Sequence, residues 1–134
     1  MGEEILVKES LSNDMISAGA KLARYLNTGL PTIDAIFWFY LPELNAWRFV
    51  VASPEVRALG PKTVYQQIRS VISTIPAGEQ TVPLGNIVVV DSHDPLILLL
   101  RRAITTGQAS TGIRFSRNVI NGVLIEDAYI YKLV

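Results

Sequence analysis

The stretch IDAIFWFYLPELNAWRFVVA, residues 33–52, decides how this chain is read. Two runs rich in aromatic and β-branched residues flank Pro42-Glu43-Leu44-Asn45, the composition of a strand, a turn and a second strand. A four-residue turn over 42–45 sets Leu41 against Ala46, Tyr40 against Trp47, Phe39 against Arg48 and Trp38 against Phe49. Ile36, Trp38, Tyr40, Trp47, Phe49 and Val51 then share one face, and Ala35, Phe37, Phe39, Leu41, Val50 and Ala52 share the other. A hairpin that is apolar on both faces needs cover on both, which places it in the middle of a sheet. Arg48 is the lone charge on the two strands, close enough to the turn for its head to reach solvent. The aromatic row is therefore expected in the core, and function is expected nearer the other end of the chain.

On the N-terminal side, Ser12 is a good helix cap and Asp14 sits in the first turn. Leu11, Met15, Ala18, Leu22, Tyr25 and Leu26 make one stripe at helical spacing. Asn27-Thr28-Gly29, with Pro31 beyond, ends that helix. Gly19 weakens its middle by about 1 kcal/mol relative to Ala and suits a close approach to the sheet. Residues 2–10 stay open between a helical turn and a short edge strand, because Ile5-Leu6-Val7 is too short for periodicity to decide.

On the C-terminal side, Ser53-Pro54-Glu55 caps a short turn, and Gly60-Pro61 opens a second helix whose inner stripe is Val64, Ile68, Val71, Ile72 and Ile75. Pro76 ends it. Residues 77–85 form a polar loop, and Asn86–Asp91 is a continuous apolar run, the pattern of a strand buried on both faces. Asp94-Pro95 starts a third helix, LILLLRRAIT, apolar nearly all round and stopped at Gly107, which suits a deep position or one against another subunit. The last segment is a second hairpin about Asn121-Gly122. That turn pairs Val119 with Leu124, Arg117 with Glu126, Phe115 with Ala128 and Ile113 with Ile130 on one face. Ser116 with Asp127, and Arg114 with Tyr129, lie on the other.

Helix, hairpin, helix, strand, helix, hairpin gives an α+β (α/β-like) fold in the order α-β-β-α-β-α-β-β. It predicts one mixed five-stranded sheet with flanking helices, in a single domain spanning residues 1–134. Right-handed crossovers predict parallel strands on either side of the second and third helices.

At 134 residues, 49% hydrophobic and 18% charged, the chain is of globular composition and large enough to bury a core unaided. Twelve basic and twelve acidic side chains cancel, so no overall field draws the molecule to nucleic acid or anionic lipid, and self-association meets little repulsion. The absence of cysteine excludes disulfides, thiolate catalysis and zinc–thiolate sites, and suits a reducing cytosol. Met-Gly-Glu-Glu leads into no signal-peptide core, and the longest apolar runs are far too short for a bilayer. A cytoplasmic location and no membrane association are the expectation.

Two constellations bear chemistry. Asp91-Ser92-His93-Asp94 lies where a strand hands over to a helix, the usual place for ligands on open α/β sheets, and contains the sole histidine. Asp91, His93 and Asp94 are ligand types for a divalent metal or an acid/base pair. Capping alone also accounts for Asp94-Pro95. The second set is Arg114, Ser116, Arg117, Asn118, Asp127 and Tyr129 on the terminal hairpin, with Arg101 and Arg102 able to add charge. The predicted register puts Arg114, Ser116, Asn118 and Asp127 on one face, a guanidinium, hydroxyl and amide suited to a phosphate or a base. Ordinary sheet chemistry also accommodates it, as an Arg117–Glu126 ion pair and an Arg114–Tyr129 stack. Gly107 and Gly112 do not make a phosphate loop, because they lie between a helix and a strand rather than between a strand and a helix.

The arrangement of an N-terminal helix, a hairpin and a later strand–helix–strand unit resembles the restriction-endonuclease-like core, and Pro31-Thr32-Ile33-Asp34 resembles its Pro…Asp half-motif. That resemblance implies an acidic residue or Gln two places before a lysine. Leu6, Gly19, Gly60 and Ile130 stand there instead, before Lys8, Lys21, Lys62 and Lys132, so the motif is incomplete and no nuclease activity is implied. No Gly-x-Ser-x-Gly elbow, His-Glu-x-x-His or dinucleotide fingerprint occurs. The favoured expectation is a non-enzymatic association or binding module, acting with itself or a protein partner and using no cofactor. The alternatives are nucleic-acid or phosphate binding through the hairpin arginines, and metal-assisted hydrolysis at Asp91, His93 and Asp94.

Overall fold

A computed structural model describes residues 7–104 and 112–134. The expectations for Ile5-Leu6 and for the helix stop at Gly107 lie outside the described residues. Helix α1 spans Asn13–Gly29, with the Ser12 hydroxyl accepting the Met15 N–H at its start. Strands β1 (Ala35–Leu41) and β2 (Ala46–Ser53) follow, paired in the register that a 42–45 turn demands. Next come the five-residue helix α2 (Glu55–Leu59), helix α3 (Pro61–Ile72) and strand β3 (Ile87–Asp91). Helix α4 (Pro95–Ala103), strand β4 (Ile113–Ile120) and strand β5 (Val123–Leu133) complete the fold.

The sheet is mixed and five-stranded, in the order β3-β2-β1-β5-β4, with the opening hairpin inside it. β2 and β3 are parallel, as a crossover through α3 requires. The parallel relation expected across α4 fails: β3 and β4 are the two edges of the sheet and run in opposite directions. The chain leaves the sheet at Asp91, beside Ser53, and re-enters at Ile113, level with Ile130 and Phe37, toward the same end. A connection that returns to the end it left must send the next strand back the other way.

The two faces have different cover. On the first, Leu22 and Leu26 of α1 and Val64 and Ile68 of α3 bury Ile36, Trp38, Phe49 and Val51. Gly19 lets α1 come close. A Cβ there would collide with the Tyr131 hydroxyl and the Trp38 indole nitrogen. Those two groups instead donate to helix carbonyls, Trp38 Nε1 to Met15 O at 3.1 Å and Tyr131 Oη to Ile16 O at 2.7 Å. On the second face, Ile97 and Leu100 of α4 pack among Phe37, Val50, Ala128 and Ile130. α4 is less enclosed than its composition predicts, since Leu98 is 43% exposed. It ends at Ala103, two residues before the expected Thr105, with Ile104 already extended.

The terminal hairpin keeps its Asn121-Gly122 turn, but its outer part turns over. Arg117 has φ +50°, and the Arg117–Glu126 pair drops out of the ladder. Simple alternation puts Ile120 and Ile125 on the face opposite Ala128, yet both join the second-face core with Ala128 and Ile130. The interruption thus lets the hairpin's own end help to cover that face, and it leaves Val119 and Leu124 exposed on the outside.

Candidate functional site

Asp127 is the centre of the first-face polar site. Its side chain is 3% exposed, on the central part of β5, and four donors converge on it. Arg114 of β4 grips both oxygens, Nε on Oδ1 and Nη2 on Oδ2, each at 2.7 Å. The Ser116 hydroxyl adds 2.7 Å to Oδ1, and Lys8 Nζ adds 2.7 Å to Oδ2. Burial pushes the Asp127 carboxyl up, but the bonds from Arg114, Lys8 and Ser116 outweigh it and hold the group well below the usual carboxylate range. The bond to Asp127 raises Arg114 in turn. A bidentate guanidinium fixes the carboxylate in plane and leaves one lone pair on each oxygen for the other two donors.

Lys8 arrives on a short segment that lies over the β1–β2 turn, and its residues 7–10 are all exposed. Asn45, with φ +46°, projects its carboxamide onto this segment from the turn, a conformation asparagine tolerates better than most residues. Its Oδ1 accepts the Glu9 N–H at 2.8 Å and the Tyr40 hydroxyl at 2.6 Å, while its Nδ2 donates to Val7 O at 3.0 Å. Trp47 Nε1 donates to Glu9 O at 2.8 Å. Between those backbone anchors the Lys8 ammonium lies 4.8 Å from the Tyr40 ring centre and 5.8 Å from that of Trp47.

Of the hairpin residues singled out in the sequence, Arg114, Ser116 and Asp127 come together. Tyr129 is half-buried against Tyr131, ring centres 5.3 Å apart. The expected Arg114–Tyr129 stack is replaced by Arg114 over Trp47, at 5.7 Å. Asn118 does not share the face of Asp127: it pairs with the core residue Ile125 beyond the interruption and bonds its own strand at Ser116 O. Arg117 is exposed, and among the described residues no ion pair joins it to Glu126, because its left-handed backbone removes that pair from the ladder. Arg101 points elsewhere, to Val134 O, Ser92 O and the Asp34 carboxylate, and Arg102 is exposed. The arginines do not form one patch.

The other constellation is turn chemistry. Asp91 Oδ1 accepts the His93 N–H at 3.1 Å, Asp91 Oδ2 accepts Arg57 Nε at 3.1 Å, and Asp94 Oδ1 caps α4 at Leu96 N. The backbone bond from His93, then Arg57, lowers the Asp91 carboxyl. His93 Nδ1 comes within 3.6 Å of Asp91 Oδ1, but among the described residues no group of three or more acidic or histidine side chains is placed to hold a metal ion. A cleft of about 220 Å³ beside Met15, Trp38, Thr81 and Asn86 has no ionisable group in its lining. No helix among the described residues is long and apolar enough to cross a membrane.

Sequence patterns did not point to Lys8, Tyr40, Asn45 or Trp47. Trp47 and Tyr40 read as core, and Lys8 is 119 residues from Asp127. The one local signal was asparagine at the last position of a tight turn. No family model, curated protein or solved structure gives a significant match to this chain.

Proposed function

We propose that this chain is a non-enzymatic association module that takes up an extended segment of a partner protein across the β1–β2 turn, where its own residues 7–9 now lie. The carrying observation is the Asn45 carboxamide, which meets both Glu9 N–H and Val7 C=O. A side chain that satisfies a donor and an acceptor two residues apart reads main chain, as the edge of a sheet does in strand addition. Trp47 adds a third backbone contact. The carboxylates of both candidate sets favour binding over catalysis, since Asp127 is saturated by donors and Asp91 and Asp94, at the opposite end of the sheet, are engaged in their own turn.

The test uses the full chain carrying Lys8→Ala, which loosens the resident segment, and a fluorescent peptide ILVKESLS copied from residues 5–12. Saturable binding is expected, abolished by adding Asn45→Gly, which keeps the positive φ and removes the amide. Binding that ignores Asn45→Gly, or no binding at millimolar peptide, overturns the reading.

A further inference from the structure

We infer that the same groove selects lysine: Asp127, Tyr40 and Trp47 form a pocket for the ammonium group of an extended partner segment. This rests on the association reading above and adds the identity of the side chain being read. The pocket has the parts that such recognition needs. The carboxylate takes the ammonium at 2.7 Å, and two aromatic rings lie beside the charge at 4.8 and 5.8 Å. Asn45 and Trp47 hold the backbone on either side, at Val7 O, Glu9 N and Glu9 O, so the lysine is presented at a fixed register.

Three observations favour a guest from another protein over a permanent internal strap. First, the pocket's other members are held by bonds that do not involve Lys8. Arg114 and Ser116 orient Asp127 from within the β4–β5 hairpin, and the Tyr40 hydroxyl orients the Asn45 amide. Second, Lys8 leaves without stranding a charge, because Asp127 keeps its bidentate guanidinium; an unpaired buried carboxylate would otherwise oppose release. Third, ahead of the buried Leu11, residues 7–10 hold on by polar anchors and by the Lys8 contact with the two rings. Val7 is 79% exposed and residues 8–10 are exposed too, so little apolar surface resists a competitor offering the same anchors.

The pocket is narrow in what it accepts. An acetylated lysine has no positive charge for Asp127 or the rings, and norleucine has the stem without the head. Arginine's planar fork is wider than the ammonium, and Arg114 already occupies the bidentate side of the carboxylate.

The experiment measures binding of four peptides to the Lys8→Ala full chain by anisotropy: ILVKESLS and its arginine, acetyl-lysine and norleucine versions at the lysine position. The expected order puts lysine first, with acetyl-lysine and norleucine about tenfold or more weaker, the loss of one charge-assisted contact in a half-exposed setting. Equal binding of all four overturns lysine selection while leaving backbone capture intact. Binding of none overturns both. Sedimentation of the unmodified chain distinguishes another occupant: it is expected to be monomeric. A concentration-dependent dimer that Lys8→Ala dissolves would make a second copy, not a partner, the guest and overturn the proposal as stated.

Discussion

Asp127 and Asp91 are two carboxylates on strands of one sheet, each paired with an arginine, and they behave as different kinds of residue. Asp127 is 3% exposed, and its donors come from β4 and from a segment at the far end of the sequence. Asp91 is 26% exposed, its Arg57 partner is 67% exposed, and its other bonds come from two residues along the chain. Along the sequence Asp91 keeps the richer company, because acids and a histidine stand side by side there. Side-by-side polar residues at a strand end mostly satisfy one another and their own backbone. Acids that draw donors from distant segments are held in one geometry, and geometry is what recognition requires.

The contrast predicts unequal stakes. Asp127→Ala leaves Arg114 and Lys8 without their shared anion and removes a buried hub, and the expected loss of stability is about 2–3 kcal/mol in denaturant melts. A figure at or below the bottom of the usual range for a buried pair is appropriate, because the side chains of Lys8 and Arg114 are 40% and 45% exposed. A loss as small as that of an exposed ion pair would place Asp127 in the same class as Asp91.

Acid sharpens the comparison. Asp127 has a folded pKa below its unfolded value of about 3.9. The folded state therefore binds fewer protons, and the stability that this group contributes is complete above the unfolded value and lost as pH falls below it. The gap in stability between the unmodified chain and Asp127→Asn is expected to stay level from about pH 6 to 8 and to close below about pH 4. A gap that stays level down to pH 3 would mean that the charge on Asp127 is not what holds the cluster.

Much of the fold was legible because its signals are local. The 42–45 turn gave the β1–β2 register residue for residue, and Asn121-Gly122 gave every β4–β5 pair except Arg117–Glu126. That exception misplaced Asn118, since one left-handed residue reverses which face the rest of the strand presents, and arginine carries no mark of such a backbone. The direction of β4 was missed because it depends on where a long connection re-enters. Of the site, the Arg114–Ser116–Asp127 core followed from register. Lys8 and the Asn45 amide did not, because no pattern in sequence spacing links a terminal segment to a turn and a strand so far away.

The smallest effects test the turn. Asp94→Ala removes the bond to Leu96 N at the start of α4 and is expected to cost about 1 kcal/mol, an ordinary helix cap. Asp91→Asn keeps an acceptor for the His93 N–H and loses the ion pair with Arg57, whose head is largely in water. Screening and side-chain entropy leave such a pair near zero, so the melting temperature is expected to stay within experimental scatter, at low salt as at high. Salt is the informative variable: if Asp91→Asn destabilises the protein at low ionic strength and not at high, the Arg57 pair contributes more than its exposure allows. Asp91 would then belong beside Asp127, as a residue that holds α2 to the end of β3 rather than merely finishing a strand.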